Sequence, residues 1–64
     1  MKINGETVEI KEGSKLDEFL VESGYDLEKI VVECNGEVLD KNSYCEIRLN
    51  NTDSYEIVSF VGGG

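Results

Sequence analysis

The pair Asn-Gly occurs twice, at Asn4-Gly5 and at Asn35-Gly36, each time between short stretches of strand character. Both residues of such a pair tolerate positive φ. The pair therefore favours a two-residue hairpin turn whose twist matches that of the flanking strands. Two hairpins follow. The first joins Met1 to Ile3 with Thr7 to Ile10, where Val8 and Ile10 share one face and Thr7 and Glu9 the other. The second joins the β-branched run Ile30 to Cys34 with Glu37 to Leu39.

Between the hairpins the hydrophobic period changes. Glu12-Gly13 breaks the strand, and Ser14 with Asp17 has the spacing of a capping box. Leu16, Phe19 and Leu20 fall at i, i+3 and i+4, forming one apolar stripe, while Asp17, Glu18 and Glu22 face away. Gly24 sits where a helix C-cap is expected. The pattern predicts a helix from Lys15 to Ser23. After the second hairpin, Asp40 to Tyr44 reads as a loop with room for one helical turn. Glu46 to Leu49 alternates as a half-buried strand does, and Asn50 to Ser54 is a polar turn. Tyr55 to Val61 is the last and strongest strand, and three glycines follow it.

A chain of 64 residues holds one domain. A domain of this size buries only about 60% of the surface its unfolded chain exposes, so the core is thin and leaves little room for an enclosed active-site cavity. One helix stripe and one sheet face are buried together most economically when the helix crosses over a mixed sheet. The expected fold class is α+β: a ubiquitin-like β-grasp, with a mixed sheet of four to five strands packed on one main helix. Residues 1–61 form that domain and residues 62–64 a flexible tail.

Composition narrows the partners. Six basic residues against fourteen acidic ones give a net charge of −8 at pH 7. Phosphate backbones and anionic headgroups repel such a chain, so nucleic acid and membrane surfaces are not expected as partners and a protein with a basic docking face is favoured. No apolar run approaches the roughly 20 residues of a membrane span, and the N-terminus lacks the regions of a signal peptide. A cytoplasmic location is expected. Cys34 and Cys45 are the two cysteines and there is no histidine. That set is too small for a disulfide scaffold or a zinc site, so no metal is expected; both cysteines read as small core residues, the alternative being one exposed thiol that exchanges with a partner. No residue has a partner base, so the chain is not expected to be an enzyme in its own right.

The tail is the remaining candidate for chemistry. Gly62, Gly63 and Gly64 have no side chains to pack and much conformational entropy to lose, so they add nothing to stability. They suit a different task. A terminal carboxylate is a poor electrophile, but activation by ATP as an acyl adenylate makes it a good one. A sulfur donor can then displace AMP and leave a thiocarboxylate. The activating site must be shielded from water and lies in another protein. Three extended glycines reach roughly 10 Å into a narrow channel, and no Cβ blocks their entry. Alternation in the last strand places Tyr55, Ile57 and Ser59 on one face and Glu56, Val58 and Phe60 on the other. With Ile57 facing the core, Val58 and Phe60 lie on the open sheet face beside the tail, and with Val61 they form a candidate docking patch.

The ending Tyr-Glu-Ile-Val-Ser-Phe-Val-Gly-Gly-Gly, residues 55–64, resembles the C-terminus of the thiamine-biosynthesis sulfur carrier family. The resemblance extends over essentially the whole chain. It takes in the first hairpin, Glu12-Gly13-Ser14 before the helix, and the segment Val32 to Val38 around the second Asn-Gly. It implies that an adenylating enzyme, related to the ubiquitin-activating enzymes, joins AMP to the Gly64 carboxylate. Sulfur, ultimately from cysteine, converts the adenylate to a thiocarboxylate, and thiazole synthase takes that sulfur for the thiazole ring of thiamine. Gly63 and Gly64 match the family's diglycine. Mg-ATP belongs to the adenylating partner, and this chain itself is expected to bind no cofactor. Tyr44 stands where family members commonly carry an aromatic residue, often Trp. Two related readings remain: the small subunit of molybdopterin synthase, which shares the thiocarboxylate chemistry but tends to be longer with a different segment before the glycines, and a ubiquitin-like protein modifier, which shares the chemistry up to the adenylate.

Overall fold

The computed structural model describes residues 1–60. The order of elements is a hairpin of β1 (Lys2–Ile3) and β2 (Glu6–Thr7), the helix α1 (Leu16–Glu22), a second hairpin of β3 (Ile30–Cys34) and β4 (Glu37–Val38), and a last strand β5 (Ser54–Ser59). Short 3-10 helices at Leu27–Lys29 and Lys41–Glu46 join them. The strands form one mixed sheet in the order β2-β1-β5-β3-β4. The last strand in sequence thus lies at the centre, parallel to β1 and antiparallel to β3. This is the β-grasp arrangement expected from the sequence, with five strands.

Both Asn-Gly pairs make the turns their chemistry favours. Asn4 and Gly5 have φ of 51° and 84°, and Asn35 and Gly36 have 50° and 90°. All four are left-handed, as the two central residues of a type I′ turn must be. The registers Ile3↔Glu6 and Cys34↔Glu37 close each hairpin directly around its pair.

The helix stripe behaves as its period requires. Leu16 and Leu20 are fully buried and Phe19 packs partly against them, beneath Ile30, Val32, Tyr55 and Ile57 from β3 and β5. Gly24, at φ 91°, ends the helix. The Tyr25 N–H reaches the Leu20 carbonyl and the Gly24 N–H the Val21 carbonyl, which is the paired bonding of a Schellman C-cap.

The start of the helix departs from expectation. The N-cap is Lys15, whose side chain makes no capping bond, and Ser14 is not a capping residue: its hydroxyl donates back to the Lys11 carbonyl at 2.6 Å. The cause is tertiary. Residues 47–49 run against the helix start, so the Leu16 N–H donates to the Ile47 carbonyl and the Leu49 N–H to the Ser14 carbonyl. The same contact overturns the strand expected at Glu46 to Leu49. Asp40 accepts from the Asn42 N–H at 2.8 Å and caps a 3-10 helix that runs through Glu46, burying Tyr44. The Ile47/Leu49 alternation survives only as an isolated bridge between Lys15 and Arg48.

Other boundaries shrink. The first return strand is Glu6–Thr7 rather than Thr7 to Ile10: the Val8 N–H makes the hairpin's last bond, to the Met1 carbonyl, and the chain leaves the sheet after it. There Asn51 pairs with both backbone groups of Ile10 instead. Cys34 packs partly against the core, whereas Cys45 is exposed, at the end of the 3-10 helix whose one inward position goes to Tyr44. Val61, where the last strand was expected to end, lies outside the described residues, as does the boundary with the tail.

Two measurements test this packing. Leu20→Ala is expected to lower the unfolding free energy by about 2–5 kcal/mol, read from the urea midpoint at unchanged slope. Val21→Gln, next in sequence but exposed, should change it by no more than about 0.5 kcal/mol. The second concerns Tyr55. Burial, first, and then the Cys34 thiol and the Asp53 charge hold its hydroxyl well above its ordinary value of 10. The unfolded chain releases this proton near that ordinary value and the folded chain does not. The Tyr55 contribution to stability is therefore full below pH 10 and is lost as pH rises beyond it. Urea titrations on either side of that pH should show this alkaline loss in the parent and a shallower one in Tyr55→Phe.

Candidate functional site at the end of the last strand

β5 delivers the chain to its glycines, and the structure holds this strand from both sides. On one side the register with β3 runs from Cys34↔Tyr55 to Ile30↔Ser59. It is prolonged by the Phe60 N–H, which donates to the Lys29 carbonyl at 2.9 Å. On the other side β1 pairs only with Ser54 and Tyr55. The first turn then takes over. The Asn4 N–H donates to the Tyr55 carbonyl at 2.9 Å. The Asn4 side chain accepts from the Ile57 N–H at 2.7 Å and donates to the Ile57 carbonyl at 3.2 Å.

The alternation of β5 is as its sequence indicates. Tyr55 and Ile57 are buried beneath α1, while Val58 and Phe60 are 55% and 48% exposed on the opposite face. Val31 of β3 stands directly across from Val58 and is exposed too, so the three make one apolar surface leading to residue 61. The next cross-strand pair on this face is Glu33↔Glu56. Like charges directly opposite each other cost stability. Val38, across from Glu33 on β4, is 67% exposed and borders the same row. The open face therefore presents valines and a phenylalanine beside paired carboxylates.

Of the residues singled out in the sequence, Val58 and Phe60 are described and lie together. Val61, Gly62, Gly63 and Gly64 lie outside the described residues. Val31 was not singled out, although the alternation of Ile30, Val31 and Val32 carries the signal for it. Asn4 was read only as a turn former, and no sequence pattern reveals that its amide spans to Ile57, 53 positions on.

The groove between α1 and residues 9–11 is lined by Glu9, Lys11, Ser14 and Glu18 among others, and the Ser14 hydroxyl donates to the Lys11 carbonyl rather than to a carboxylate. Among the described residues no group of three or more His, Cys, Asp or Glu could hold a metal ion. No helix there is long and apolar enough to cross a membrane.

Comparison with known proteins agrees over the full length. A sulfur carrier protein, ThiS, of Bacillus subtilis is 39% identical over 66 residues, covering 100% of this chain and 98% of that protein. Thiazole synthases of Paramagnetospirillum magneticum and Magnetococcus marinus are 40% and 36% identical over 62 residues. This chain spans only about a fifth of their length, 19% in each case. The crystal structure of a thiamine biosynthesis protein (ThiS) from Geobacter metallireducens superposes with a TM-score of 0.75 at 32% identity, covering 98% of this chain and 96% of that one. Residues 1–64 match the ThiS family as a whole. A β-grasp sheet whose central strand runs out to three glycines, and this agreement from end to end, place the chain in the ThiS family.

Proposed function

We propose that this chain is a sulfur carrier of thiamine biosynthesis, loaded as a thiocarboxylate on Gly64 and unloaded by thiazole synthase. The observation that carries the reading is the end-to-end similarity to the Bacillus sulfur carrier, in a fold whose central strand leads into the glycines. The two thiazole synthases with a region similar to this chain favour a thiazole over a pterin as the acceptor.

The chemistry proceeds in two balanced steps. The Gly64 carboxylate oxygen attacks the α-phosphorus of ATP in the adenylating partner. An acyl–phosphate bond forms and pyrophosphate leaves. A sulfur nucleophile, at its simplest hydrosulfide, then attacks the acyl carbon. A carbon–sulfur bond forms, AMP leaves with the electron pair of the broken bond, and a proton is released as the thiocarboxylate ionises. No oxidant or reductant is consumed with hydrosulfide as donor. This chain contributes an electrophile and its delivery, and the partner contributes Mg-ATP and the shielded site.

Delivery follows from β5. The backbone is pinned at Phe60 by the Lys29 carbonyl. The four residues beyond it span at most about 14 Å when extended, enough to carry the carboxylate into a partner while the domain stays outside. Gly62, Gly63 and Gly64 enter the narrow part. Val58 and Phe60, with Val61 after them, dock on the adenylating enzyme, and the net charge of −8 favours a basic rim on that partner.

Incubation with an adenylating enzyme, Mg-ATP and sulfide should raise the intact mass by one sulfur-for-oxygen exchange, and deletion of Gly64 should abolish the gain. No gain, where a known carrier is converted, would sink the carrier reading. Val58→Lys is expected to lower the efficiency of conversion roughly tenfold or more by burying a charge in the docked patch, while the melting temperature holds.

A further inference from the structure

We infer that Asn4 is a positioning residue for the tail: its side chain stands in for a strand beside β5 and fixes the point from which the chain runs out to its glycines. This rests on the carrier reading above. The backbone of β1 ends at Ile3, so its ladder along β5 stops with the Asn4 N–H on the Tyr55 carbonyl. The next groups of β5 that face this side are the N–H and carbonyl of Ile57. The Asn4 amide satisfies both, at 2.7 and 3.2 Å, as the backbone of a neighbouring strand would.

The turn itself does not require this side chain. Glycine tolerates the left-handed φ of 51° at least as well. The second hairpin supplies the comparison. Asn35 has nearly the same φ, 50°, and its side chain accepts from the Ser54 N–H at 3.1 Å, at the start of β5 and far from the tail. Two equivalent turns thus grip the same strand, one at its entry and one near its exit.

Past Ile57 the next residue to face the β1 side is Ser59, and no partner for its backbone is present there among the described residues. The β3 side continues to Phe60. β5 is therefore held from both sides as far as Ile57 and from one side over residues 58–60. Without the Asn4 amide the last residue held from both sides is Tyr55, and the one-sided stretch grows to residues 56–60. Loosened residues must be ordered again each time the tail enters a partner, which should raise the KM of the carrier by about tenfold. The reacting carboxylate is unchanged, so kcat should hold.

The test compares Asn4→Gly, Asn4→Asp and Asn35→Gly with the parent. Initial rates of thiocarboxylate formation are followed by intact mass over a range of carrier concentrations, and amide exchange by NMR. Asn4→Gly should raise KM by about tenfold with kcat within about twofold, and should speed exchange at Ile57. Asn4→Asp keeps the left-handed turn and the acceptor for the Ile57 N–H, and should fall between Asn4→Gly and the parent. Asn35→Gly, equally a turn variant, should leave KM near the parent value. An unchanged KM in folded Asn4→Gly, or an equal rise in Asn35→Gly, overturns the positioning role. A parent chain that is not converted overturns the carrier reading instead. The exchange data then decide the anchor alone: faster exchange at Ile57 in Asn4→Gly upholds it, and unchanged exchange overturns it.

Discussion

The pairing of β5 with β3 over five residues, with β1 on its other edge, is the constraint on which the rest of the structure depends. It sets Tyr55 and Ile57 facing the helix, and these with Ile30 and Val32 form the floor on which Leu16 and Leu20 are buried. The same pairing turns Val58 and Phe60 outward. Core and open face are therefore two consequences of one register. A slip of one residue would exchange them, exposing Ile57 and burying Glu56 and Val58. Three asparagines reinforce this frame by bonding backbone groups where the strands are too short: Asn4 on Ile57, Asn35 on Ser54 and Asn51 on Ile10. In a sheet with three two-residue strands, side-chain amides do part of the work usually done by backbone ladders.

The sequence was most legible where a local rule is strict. Left-handed φ at both residues of each Asn-Gly turn, the stripe of Leu16, Phe19 and Leu20, and the glycine ending at Gly24 each have a single good structural answer. It was least legible where a distant segment supplies what a local motif offers. Ser14 and Asp17 have capping-box spacing, but the Ile47 carbonyl already takes the Leu16 N–H, and Ser14 turns to Lys11. The alternation from Glu46 to Leu49 resembles a strand, but Asp40 begins a 3-10 helix that consumes its first residue. At the candidate site, period two alone placed Val58 and Phe60 on the outer face. The tie from Asn4 to Ile57 spans 53 positions, and no local pattern encodes it.

The open face is poorly optimised for a protein that works alone. Val31, Val58 and Phe60 leave apolar surface in water, and Glu33 opposite Glu56 sets two carboxylates side by side across neighbouring strands. Both features oppose stability in the free chain. Both become favourable against a partner that covers the valines and brings a cation to the carboxylates. A small domain with a thin core can tolerate only a few such departures from its own stability, and here they gather beside the strand that leads to the tail.

The central position of β5 has a further consequence during synthesis. The strand that completes the core is the last of the five to be made, and β1 has no partner for its inner edge until it arrives. A nascent or truncated chain that stops before residue 54 holds two separate hairpins and a helix with no shared floor. Such short hairpins are marginal in water on their own. Folding is thus deferred until β5 has been made, in contrast to chains whose N-terminal units mature early. A partner that recognises the folded face thereby passes over copies that stop before residue 54, because they lack the strand on which that face is built.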